Sequence, residues 1–456
     1  MNLARKLKAR AAEGRPVRVG LIGAGKFGSM FLSQVRTTPG MHLYGVADLS
    51  RDRAVAALAA TGWDTDAALA RDFDTARRTG GTVVTEDAQA LIAAEGLEVL
   101  VDATGSPAAG IRHALAAIAH GRHVVMVTVE ADVLAGPLLA RRAEQAGVVY
   151  AAAYGDQPAL VCDMVDWAQT CGFRVVVAGK GTRHLPAFHA STPDTVWDNL
   201  AIPREMAAAG GMNPQMFNSF VDGTKSAIEM AAISNMTGLK APRDGLAFPP
   251  CGVDDLPRLL KPRADGGVLE ETGMVEVVSS LELDGRPVFR DLRWGVYVVL
   301  EADPSPRGDY ARRCFREYGM VTDPSGRYTA LYRPFHLIGL ELGVSVAAAA
   351  LRGEATGAAI GFFSDVAATA KRDLAAGEML DGEGGHTVYG RIMRAEESLL
   401  RGVLPIGLAH RVVLKRPVAK GAAIGWADVE MADSDTVRIR REMEAMFAPE
   451  PERLRA

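Results

Sequence analysis

The stretch that decides the fold is Val17-Arg-Val-Gly-Leu-Ile-Gly-Ala-Gly-Lys-Phe-Gly28. Its first half is rich in valine, leucine and isoleucine and predicts a buried strand, and residues 29–35 predict a helix. Between them Gly23, Gly25 and Gly28 fill the pattern G-x-G-x-x-G. In such a turn the first glycine permits the bend, the second lets the backbone approach a pyrophosphate, and the third lets helix and strand pack closely. Because a helix amino terminus also attracts phosphate, the stretch predicts a dinucleotide site. A glycine-rich turn that binds nothing is the alternative.

Length and composition set the outer limits. The chain has 456 residues, enough for two or three domains. Apolar residues make up 48% and charged residues 23%, which is ordinary for a globular protein in water. The net charge of -4 gives no reason to expect nucleic acid or an anionic membrane as a partner.

The cysteines and the termini point to a compartment. The four cysteines lie far apart and form no C-x-x-C pair, which argues against a disulfide framework or a zinc site and fits a reducing compartment. The basic amino terminus lacks the apolar core of a secretory signal. No run of about 18 uncharged apolar residues predicts a membrane helix. We therefore expect a cytoplasmic protein.

The second predicted strand, residues 41–48, ends in Asp48, 20 residues after Gly28. A carboxylate at this place accepts hydrogen bonds from the adenosine ribose of NAD and repels the 2′-phosphate of NADP. Arg51 follows three residues later and would instead pair with a 2′-phosphate. The sequence favours NAD and leaves NADP open. A surface aspartate that caps the next helix is a third interpretation of Asp48.

Predicted strands and helices alternate up to residue 155. Strands are expected at 82–85, 97–105, 123–128 and 148–153, between helical patterns at 52–76, at 108–120 and from 136 onward. This alternation predicts a doubly wound parallel sheet of the Rossmann type, whose ligands bind at the carboxyl ends of the strands. The residues that we assign to cofactor binding lie in the turns at those ends: Gly23, Ala24, Gly25, Lys26, Phe27, Gly28, Asp48, Arg51, Thr104, Gly105, Ser106 and Glu130.

The pattern changes after residue 155. A helix is predicted at 159–170, a strand at 174–181, and a helix at 203–216. A further helix begins at Thr224, and residues 242–290 are rich in Pro, Gly and charge and predict a loop-bearing insert. Strands predicted later, at 294–300 and 328–332, would suit an antiparallel sheet in a second domain.

Two groups of residues in this part could move a proton. Hydride transfer to or from an alcohol carbon also requires transfer of the hydroxyl proton, which a lysine, histidine or carboxylate does well. Lys180 follows a buried strand between two glycines, which would admit a close approach. Asp222, Lys225 and Glu229 accompany a helix so apolar that its charges should need partners or a function. A solvated ion pair of Lys225 with Glu229, or a divalent metal held by Asp222 and Glu229, stays open.

The histidines at 184, 189 and 336 are scattered, and we expect structural roles for them. The carboxyl-terminal part contains an internal repeat, since residues 371–380 resemble residues 415–424, 44 residues on. Each copy predicts a strand, a glycine turn and a second strand, which makes a small β module. A charged helix at 438–446 and a frayed tail from 449 end the chain.

Several motifs together resemble one group of enzymes. Besides the glycine turn, they are Asp102-Ala-Thr-Gly-Ser-Pro107, Val125-Met-Val-Thr-Val-Glu-Ala-Asp132, Ala178-Gly-Lys-Gly181 and the helix with its approach, 221–238. The chain resembles the homoserine-dehydrogenase-like oxidoreductases that carry a C-terminal SAF module. That group includes the 1-deoxy-D-xylulose 5-phosphate reductoisomerase-like enzymes, and the likeness covers nearly the whole chain.

The resemblance implies a three-part α/β chain. Residues 1–155 would form the Rossmann domain, residues 156–362 a central α+β catalytic and dimerisation domain, and residues 363–456 the SAF-like module and tail. It also implies NAD or NADP, a homodimer and, for the reductoisomerase-like members, a divalent metal. The sequence departs from homoserine dehydrogenases at Glu130, where those enzymes have lysine.

We therefore expect an NAD(P)-dependent oxidoreductase that acts on a small polyhydroxylated substrate, phosphorylated or not, with a reductoisomerase as the most specific version. Lys180 or Lys225 would handle the hydroxyl proton, and Asp222 and Glu229 would orient the substrate or hold a metal. The alternatives are a hydroxy-acid dehydrogenase of the homoserine type and a non-catalytic sensor of a dinucleotide or sugar acid.

Overall fold

The computed structural model describes residues 2–448, which form two compact units. The amino-terminal unit contains the residues up to 160 together with 337–360, and the carboxyl-terminal unit contains 161–336 and 361 onward. The division into domains at 155/156 and 362/363 stays a prediction, since compactness groups the residues differently. Within the described residues, no helix combines the length and the apolar character needed to cross a membrane.

The strands carry most of the buried aliphatic residues. In chain order they are β1 Val17–Ile22, β2 Met41–Ala47, β3 Val83–Thr85, β4 Val99–Asp102, β5 His123–Met126, β6 Tyr150–Ala152, β7 Arg174–Thr182, β8 Met274–Ser279, β9 Val296–Glu301, β10 Tyr328–Arg333, β11 Ser364–Ala370, β12 Met379–Asp381, β13 Val388–Arg394, β14 His410–Leu414 and β15 Val429–Glu430.

The helices range from one turn to almost five turns. In chain order they are α1 Leu3–Ala12, α2 Lys26–Val35, α3 Arg51–Ala60, α4 Thr65–Ala68, α5 Phe73–Thr79, α6 Ala88–Ala93, α7 Pro107–Ala119, α8 Val129–Gln145, α9 Gln157–Thr170, α10 Val196–Leu200, α11 Arg204–Ala209, α12 Pro214–Val221, α13 Thr224–Thr237, α14 Leu256–Leu259, α15 Asp309–Glu317, α16 Gly343–Arg352, α17 Ala395–Arg401 and α18 Asp435–Phe447.

The amino-terminal unit is built on a six-stranded parallel sheet with the order β3-β2-β1-β4-β5-β6. Val19 of β1 pairs with Leu43 on one side and Val99 on the other, and all three side chains are buried. The order reverses direction between β1 and β4, where ligands of doubly wound sheets bind. The parallel sheet confirms the predicted fold class. Parallel neighbours need crossover connections, and the helices between successive strands provide them.

Two expectations for this unit were wrong in detail. The helical pattern at 52–76 forms three helices, α3, α4 and α5, because Gly62 takes a left-handed φ of +85° and ends the first of them. The helix expected from 136 begins at Val129 and continues through Pro137, although an internal proline costs a backbone hydrogen bond. The sequence analysis also missed α16, which packs its buried Val346 against the same core as Leu3 of α1.

The carboxyl-terminal unit contains a four-stranded sheet with the order β10-β9-β7-β8. The sheet is mixed rather than antiparallel, since β7 runs parallel to β8 and antiparallel to β9. Strand β8 lies inside the segment 242–290 that was predicted as an insert, and all of its residues are buried. The helix predicted at 203–216 is interrupted by Gly210-Gly211, with Gly211 at a φ of +58°, and forms α11 and α12.

Helix α13 forms the centre of this unit. Apart from Lys225 and Thr237, each of its residues is buried. Near its carboxyl end the Asn235 amide oxygen accepts hydrogen bonds from the backbone N–H groups of Phe363 and Ser364, at 2.7 and 2.9 Å. A helix that is buried on all faces is held by packing from several sides, so its charged residues must be neutralised within the unit.

The internal repeat forms a locally two-fold arrangement. Leu374 and Val418, which occupy the same position in the two copies, exchange two backbone hydrogen bonds of 2.9 and 3.0 Å. The turn glycines behave equivalently, because Gly377 donates to the carbonyl of Leu414 at 2.7 Å and Gly421 to that of Ala370 at 2.8 Å. Each copy therefore stabilises the other.

The predicted charged helix is present as α18, whereas the predicted tail at 449–456 lies outside the described residues. Arg440 of this helix is completely buried. It donates to Asp365 of β11 at 2.5 Å and to Glu444 at 2.9 Å. A buried guanidinium between two carboxylates fixes α18 to the rest of the unit.

We predict that Arg440→Met destabilises the protein by about 3–5 kcal/mol, because the substitution leaves the buried Asp365 without its counter-charge. Urea unfolding measures this loss. Arg438→Met is the matched control, since Arg438 lies on the same helix but pairs with Asp433 and Asp435 at the surface, where ion pairs contribute about 0–1 kcal/mol. Equal stability of the two variants would contradict the assignment.

Candidate functional site

The glycine turn between β1 and α2 has the geometry that a dinucleotide needs. Gly23 has a φ of +96°, and a Cβ on it would lie 2.6 Å from the carbonyl oxygen of Ala103. A Cβ on Gly28 would lie 2.1 Å from the carbonyl oxygen of Gly23. A Cβ on Gly25 would meet nothing within 4 Å. Two of the glycines are therefore required by the fold, and the third leaves open space next to the turn.

Helix α2 begins directly after that open space. Its N-cap residue is Gly25, whose lack of a side chain leaves the first turn uncapped. The first N–H groups of a helix have no acceptor within the helix and attract anions. Lys26 and Phe27 lie exposed in this turn. These residues fit the pyrophosphate of NAD(P), whose nicotinamide supplies the hydride chemistry when it is bound.

Asp48 ties the glycine turn to the end of β2. Its carboxylate accepts the N–H of Ala24 at 2.8 Å and that of Ser50 at 3.1 Å, and it forms an ion pair with Arg53. Arg51 is exposed, and its backbone N–H donates to Glu86 at 2.9 Å. The sequence analysis missed Arg53 as the partner of Asp48. The available signal was its position as a basic residue in the first turn of α3.

A buried network holds the loop after β4. Asp102 is completely buried and accepts hydrogen bonds from the hydroxyls of Thr104 at 2.9 Å and Thr128 at 3.2 Å. The Thr128 hydroxyl in turn accepts the N–H of Gly105 at 3.0 Å, and the imidazole of His113 lies 2.7 Å from Asp102. This network places Thr104, Gly105 and the neighbouring Ser106 at the carboxyl end of β4.

Helix α8 brings two carboxyl groups to the amino-terminal unit. Glu130 lies partly buried in its first turn. Asp132 is fully buried, and among the described residues its Oδ1 has no hydrogen-bond partner. Burial raises the pKa of Asp132 to about 7, because the charged carboxylate loses its hydration. Asp132 therefore carries a proton in the folded protein at mildly acidic pH.

This proton makes stability depend on pH. An unfolded aspartic acid loses its proton near pH 4, whereas the folded chain retains it up to about pH 7. Unfolding in this window releases a proton, so stability falls as the pH rises. We predict that the stability of the wild type relative to Asp132→Asn decreases by about 2 kcal/mol between pH 5 and pH 8. Urea titrations of both proteins test this, and a constant difference would contradict it.

The carboxyl-terminal unit contains a buried ion pair between Lys180 of β7 and Glu229 of α13. The side chains are only 5% and 4% exposed. The glycines beside Lys180 were expected to admit a ligand, but they make room for neighbouring segments of the chain. A Cβ on Gly179 would lie 1.8 Å from the backbone oxygen of Glu276, and one on Gly181 would lie 2.0 Å from that of Leu292. The close approach is that of neighbouring backbone, and the ion pair is what distinguishes Lys180.

A second buried ion pair joins Asp222 to Lys371, with 2.8 Å between Oδ2 and Nζ. The other oxygen of Asp222 accepts the N–H of Thr224, the first residue of α13, at 2.9 Å. Burial raises the pKa of Asp222, and Lys371 opposes this effect. Lys371 was missed as a site residue, although it is the first of the two basic residues that open the repeat.

The two lysines differ in how many oxygens they contact. Besides Asp222, the ammonium group of Lys371 donates to the carbonyls of Ser191 at 2.7 Å and Gly385 at 2.6 Å. The Lys371 ammonium group therefore has three oxygens within 3 Å, two of which accept hydrogen bonds from it. Within residues 2–448, the Lys180 ammonium group has Glu229 as its one partner. Lys371 is therefore held by more contacts than Lys180.

Helix α13 and its approach bring the candidate residues of the central part together. Asp222 precedes the helix, Lys225 lies partly buried in its first turn, and Glu229 lies one turn later and contacts Lys180. The carboxylates do not fit a divalent metal, because each is paired with a lysine ammonium group. Across the described part of the chain, no group of three His, Cys, Asp or Glu residues is placed to hold a metal ion.

Two family models match successive parts of the chain, and they meet between residues 152 and 155. Residues 23–152 match the model of the homoserine dehydrogenase NAD binding domain. Residues 155–342 match the model described as Oxidoreductase DRL, catalytic domain. The two matches support an NAD(P)-dependent oxidoreductase, which is the expected class of enzyme and of cofactor. No curated protein sequence matches the chain.

Solved structures with a similar fold are distant in sequence. A probable dehydrogenase from Thermotoga maritima is 14% identical, with 62% of this chain and 72% of that one covered and a TM-score of 0.34. Biliverdin reductase from Synechocystis, solved with biliverdin and NADP+, is 20% identical, with 37% of this chain and 48% of that one covered and a TM-score of 0.27. A myo-inositol dehydrogenase from Lactobacillus casei, solved with NAD(H) and myo-inositol, is 15% identical, with 40% of this chain and 50% of that one covered and a TM-score of 0.29. The chain spans about half the length of the last two.

Proposed function

We propose that the protein transfers a hydride between NAD(P) and a small polyhydroxylated substrate, phosphorylated or not, and that Lys180 handles the proton of the reacting hydroxyl. The observation that carries this proposal is the buried Lys180, which is paired with Glu229 and has donors left over. It lies in the part of the chain that matches an oxidoreductase catalytic domain. The most specific version is a reductoisomerase, in which a carbon rearrangement accompanies the reduction.

The ion pair suits proton transfer in both directions. When a hydride reaches a carbonyl carbon, negative charge develops on the oxygen, and an ammonium group beside it donates the proton. In the reverse direction the neutral amine accepts the hydroxyl proton. Glu229 holds the Lys180 ammonium group in place and balances its charge in a site from which water is excluded. Lys225 lies one turn earlier on the same helix and would orient a substrate hydroxyl.

Asp222 serves this arrangement from a distance. It is completely buried, accepts the N–H of Thr224 at the start of α13 and forms an ion pair with Lys371. These contacts fix the start of the helix that carries Lys225 and Glu229. We propose that Asp222 is a positioning residue and that the chemistry lies with Lys180.

Lys180→Met is predicted to abolish turnover while the affinity for NAD(H) stays near normal, because the variant lacks the proton donor and keeps the glycine turn. Turnover is followed through the absorbance of reduced nicotinamide with a panel of C4–C6 polyols, hydroxy acids and sugar phosphates. Undiminished turnover in the variant would refute the role of Lys180.

Lys261→Met is the matched control. Lys261 is also buried in the carboxyl-terminal unit, and its Nζ lies 3.1 Å from Asp323. Either substitution removes a lysine and leaves a buried carboxylate without its lysine counter-charge, which destabilises by up to several kcal/mol. Only the loss at Lys180 should remove turnover from protein that is still folded. Equal losses of turnover would indicate a general effect on stability.

The cofactor preference follows from Asp48. Its buried carboxylate lies at the end of β2, and we expect it to repel a 2′-phosphate. Fluorescence titration should show NADH binding roughly tenfold more tightly than NADPH, a difference of about 1.4 kcal/mol. Asp48→Asn should reduce this difference, whereas Asp52→Asn, an exposed position in the first turn of α3, should leave it unchanged. Tighter binding of NADPH would mean that Arg51 and Arg53 decide the preference.

Four expectations stay predictions: the reductoisomerase activity, the SAF-like nature of the carboxyl-terminal module, the homodimer and the cytoplasmic location. The local two-fold pairing of the repeat describes the module without assigning a role to it.

A further inference from the structure

The carboxyl-terminal unit contains a cleft of about 210 Å³ beside the start of α13. Its walls come from four separate parts of the chain, namely the segment that contains His189, the start of α13, the loop at 244–248 and strand β13. The residues that matter for its chemistry are His189, Phe248, Asp244, Tyr389 and Arg391. No residue assigned above to proton transfer lines it.

His189 is fixed in one tautomer. Its Nδ1 lies 2.8 Å from the carbonyl oxygen of Asp222. A carbonyl oxygen only accepts, so the imidazole must donate through Nδ1–H, and Nε2 keeps its lone pair in the neutral ring. Burial lowers the pKa of His189, an effect that Arg391 and Lys371 strengthen and the Asp222 contacts oppose. Nε2 has no hydrogen-bond partner among residues 2–448.

Aromatic rings surround this histidine. The ring of Tyr389 lies 4.9 Å from that of His189 and that of His184 lies 4.7 Å away, between centroids. His184 stacks on Phe248 at 3.9 Å, and burial lowers the pKa of His184 to about 3. His184 therefore stays neutral and serves as part of an apolar wall. The rim adds one cation, Arg391, and one anion, Asp244, so the cleft has mixed donors and acceptors.

The wall that contains Phe248 is strained. Phe248 has a φ of +49°, which bulky side chains rarely adopt. The carboxyl group of the buried Glu276 holds this backbone, since it accepts N–H groups of Ala247 at 3.1 Å and Phe248 at 3.4 Å. Backbone strain that the surroundings enforce is concentrated at functional sites. Here it places the Phe248 ring against His184 and shapes the cleft.

We propose that this cleft binds the hydroxylated part of a neutral polyol or sugar, with one hydroxyl donating to Nε2 of His189. Ring faces at Phe248 and Tyr389 would pack on the carbons, and Arg391 and Asp244 would bond further hydroxyls. The opposite charges of Arg391 and Asp244 disfavour an ion of either sign. The inference takes the class of substrate from the proposed function and adds the residues that bind this substrate. One of them, His189, was expected from sequence to have a structural role.

The test is His189→Asn, because an asparagine amide can still donate to the carbonyl of Asp222 but offers no acceptor at the position of Nε2. Saturation-transfer NMR on the full chain, with xylitol and myo-inositol as probes, should show at least tenfold weaker polyol binding in the variant and an unchanged affinity for NADH. Tyr389→Phe, which removes one hydroxyl and keeps the ring, should weaken the binding less.

His336→Asn is the matched control, since Nδ1 of His336 also lies 2.8 Å from a carbonyl oxygen, that of Trp294, and His336 does not line the cleft. Equal polyol binding by wild type and His189→Asn, or no binding by wild type, would overturn the proposal. If His189→Asn does not fold, Tyr389→Ala, which removes a ring face of the cleft, decides, and undiminished binding by it overturns the proposal. Polyol binding without oxidation or reduction of the nicotinamide would support polyol binding in the cleft and refute the proposed function. Polyol turnover with an unchanged KM in His189→Asn would support the proposed function and refute polyol binding in the cleft.

Discussion

The ion pair between Asp222 and Lys371 is the contact on which the carboxyl-terminal unit depends. It joins the start of α13 to the first residue of the repeat, 149 positions later in the chain. Both side chains are almost completely inaccessible to water, so neither charge would be tolerated without the other. Because Lys371 also holds the carbonyls of Ser191 and Gly385, one ammonium group fixes three segments around the helix.

This constraint explains how α13 can be apolar on nearly all faces and still present charge at chosen points. With its amino terminus fixed, each later residue of the helix has a defined direction, and Glu229 meets Lys180 of β7. A helix held only by apolar packing could rotate or slide at little cost, whereas displacing two buried ion pairs would expose charges to an apolar medium. The same fixed start holds the Asp222 carbonyl that sets the tautomer of His189.

Much of the amino-terminal unit could be predicted from sequence, because its signals are local. The run Val17–Ile22 followed by Gly23, Gly25 and Gly28 specifies strand, turn and helix within a dozen residues. The carboxyl-terminal unit could not be predicted in the same way. Strand β8 lies among Pro, Gly and charged residues that conceal it, and the partners of Asp222, Glu229 and His189 come from distant segments. Sequence indicated that charges on an apolar helix need partners, but only the fold shows which lysine serves which carboxylate.

The two lysines show why burial alone does not identify a reactive group. Both are paired with a carboxylate on or beside α13, and both are nearly inaccessible. Lys371 donates to two carbonyl oxygens and forms an ion pair with a third oxygen, that of Asp222, so turning toward a ligand would break contacts that hold the unit together. Lys180 has Glu229 alone among the described residues, so an approaching hydroxyl can gain a hydrogen bond while the fold loses none. The number of oxygen contacts therefore distinguishes the two ion pairs, and it is the reason why we propose Lys180 rather than Lys371 for proton transfer.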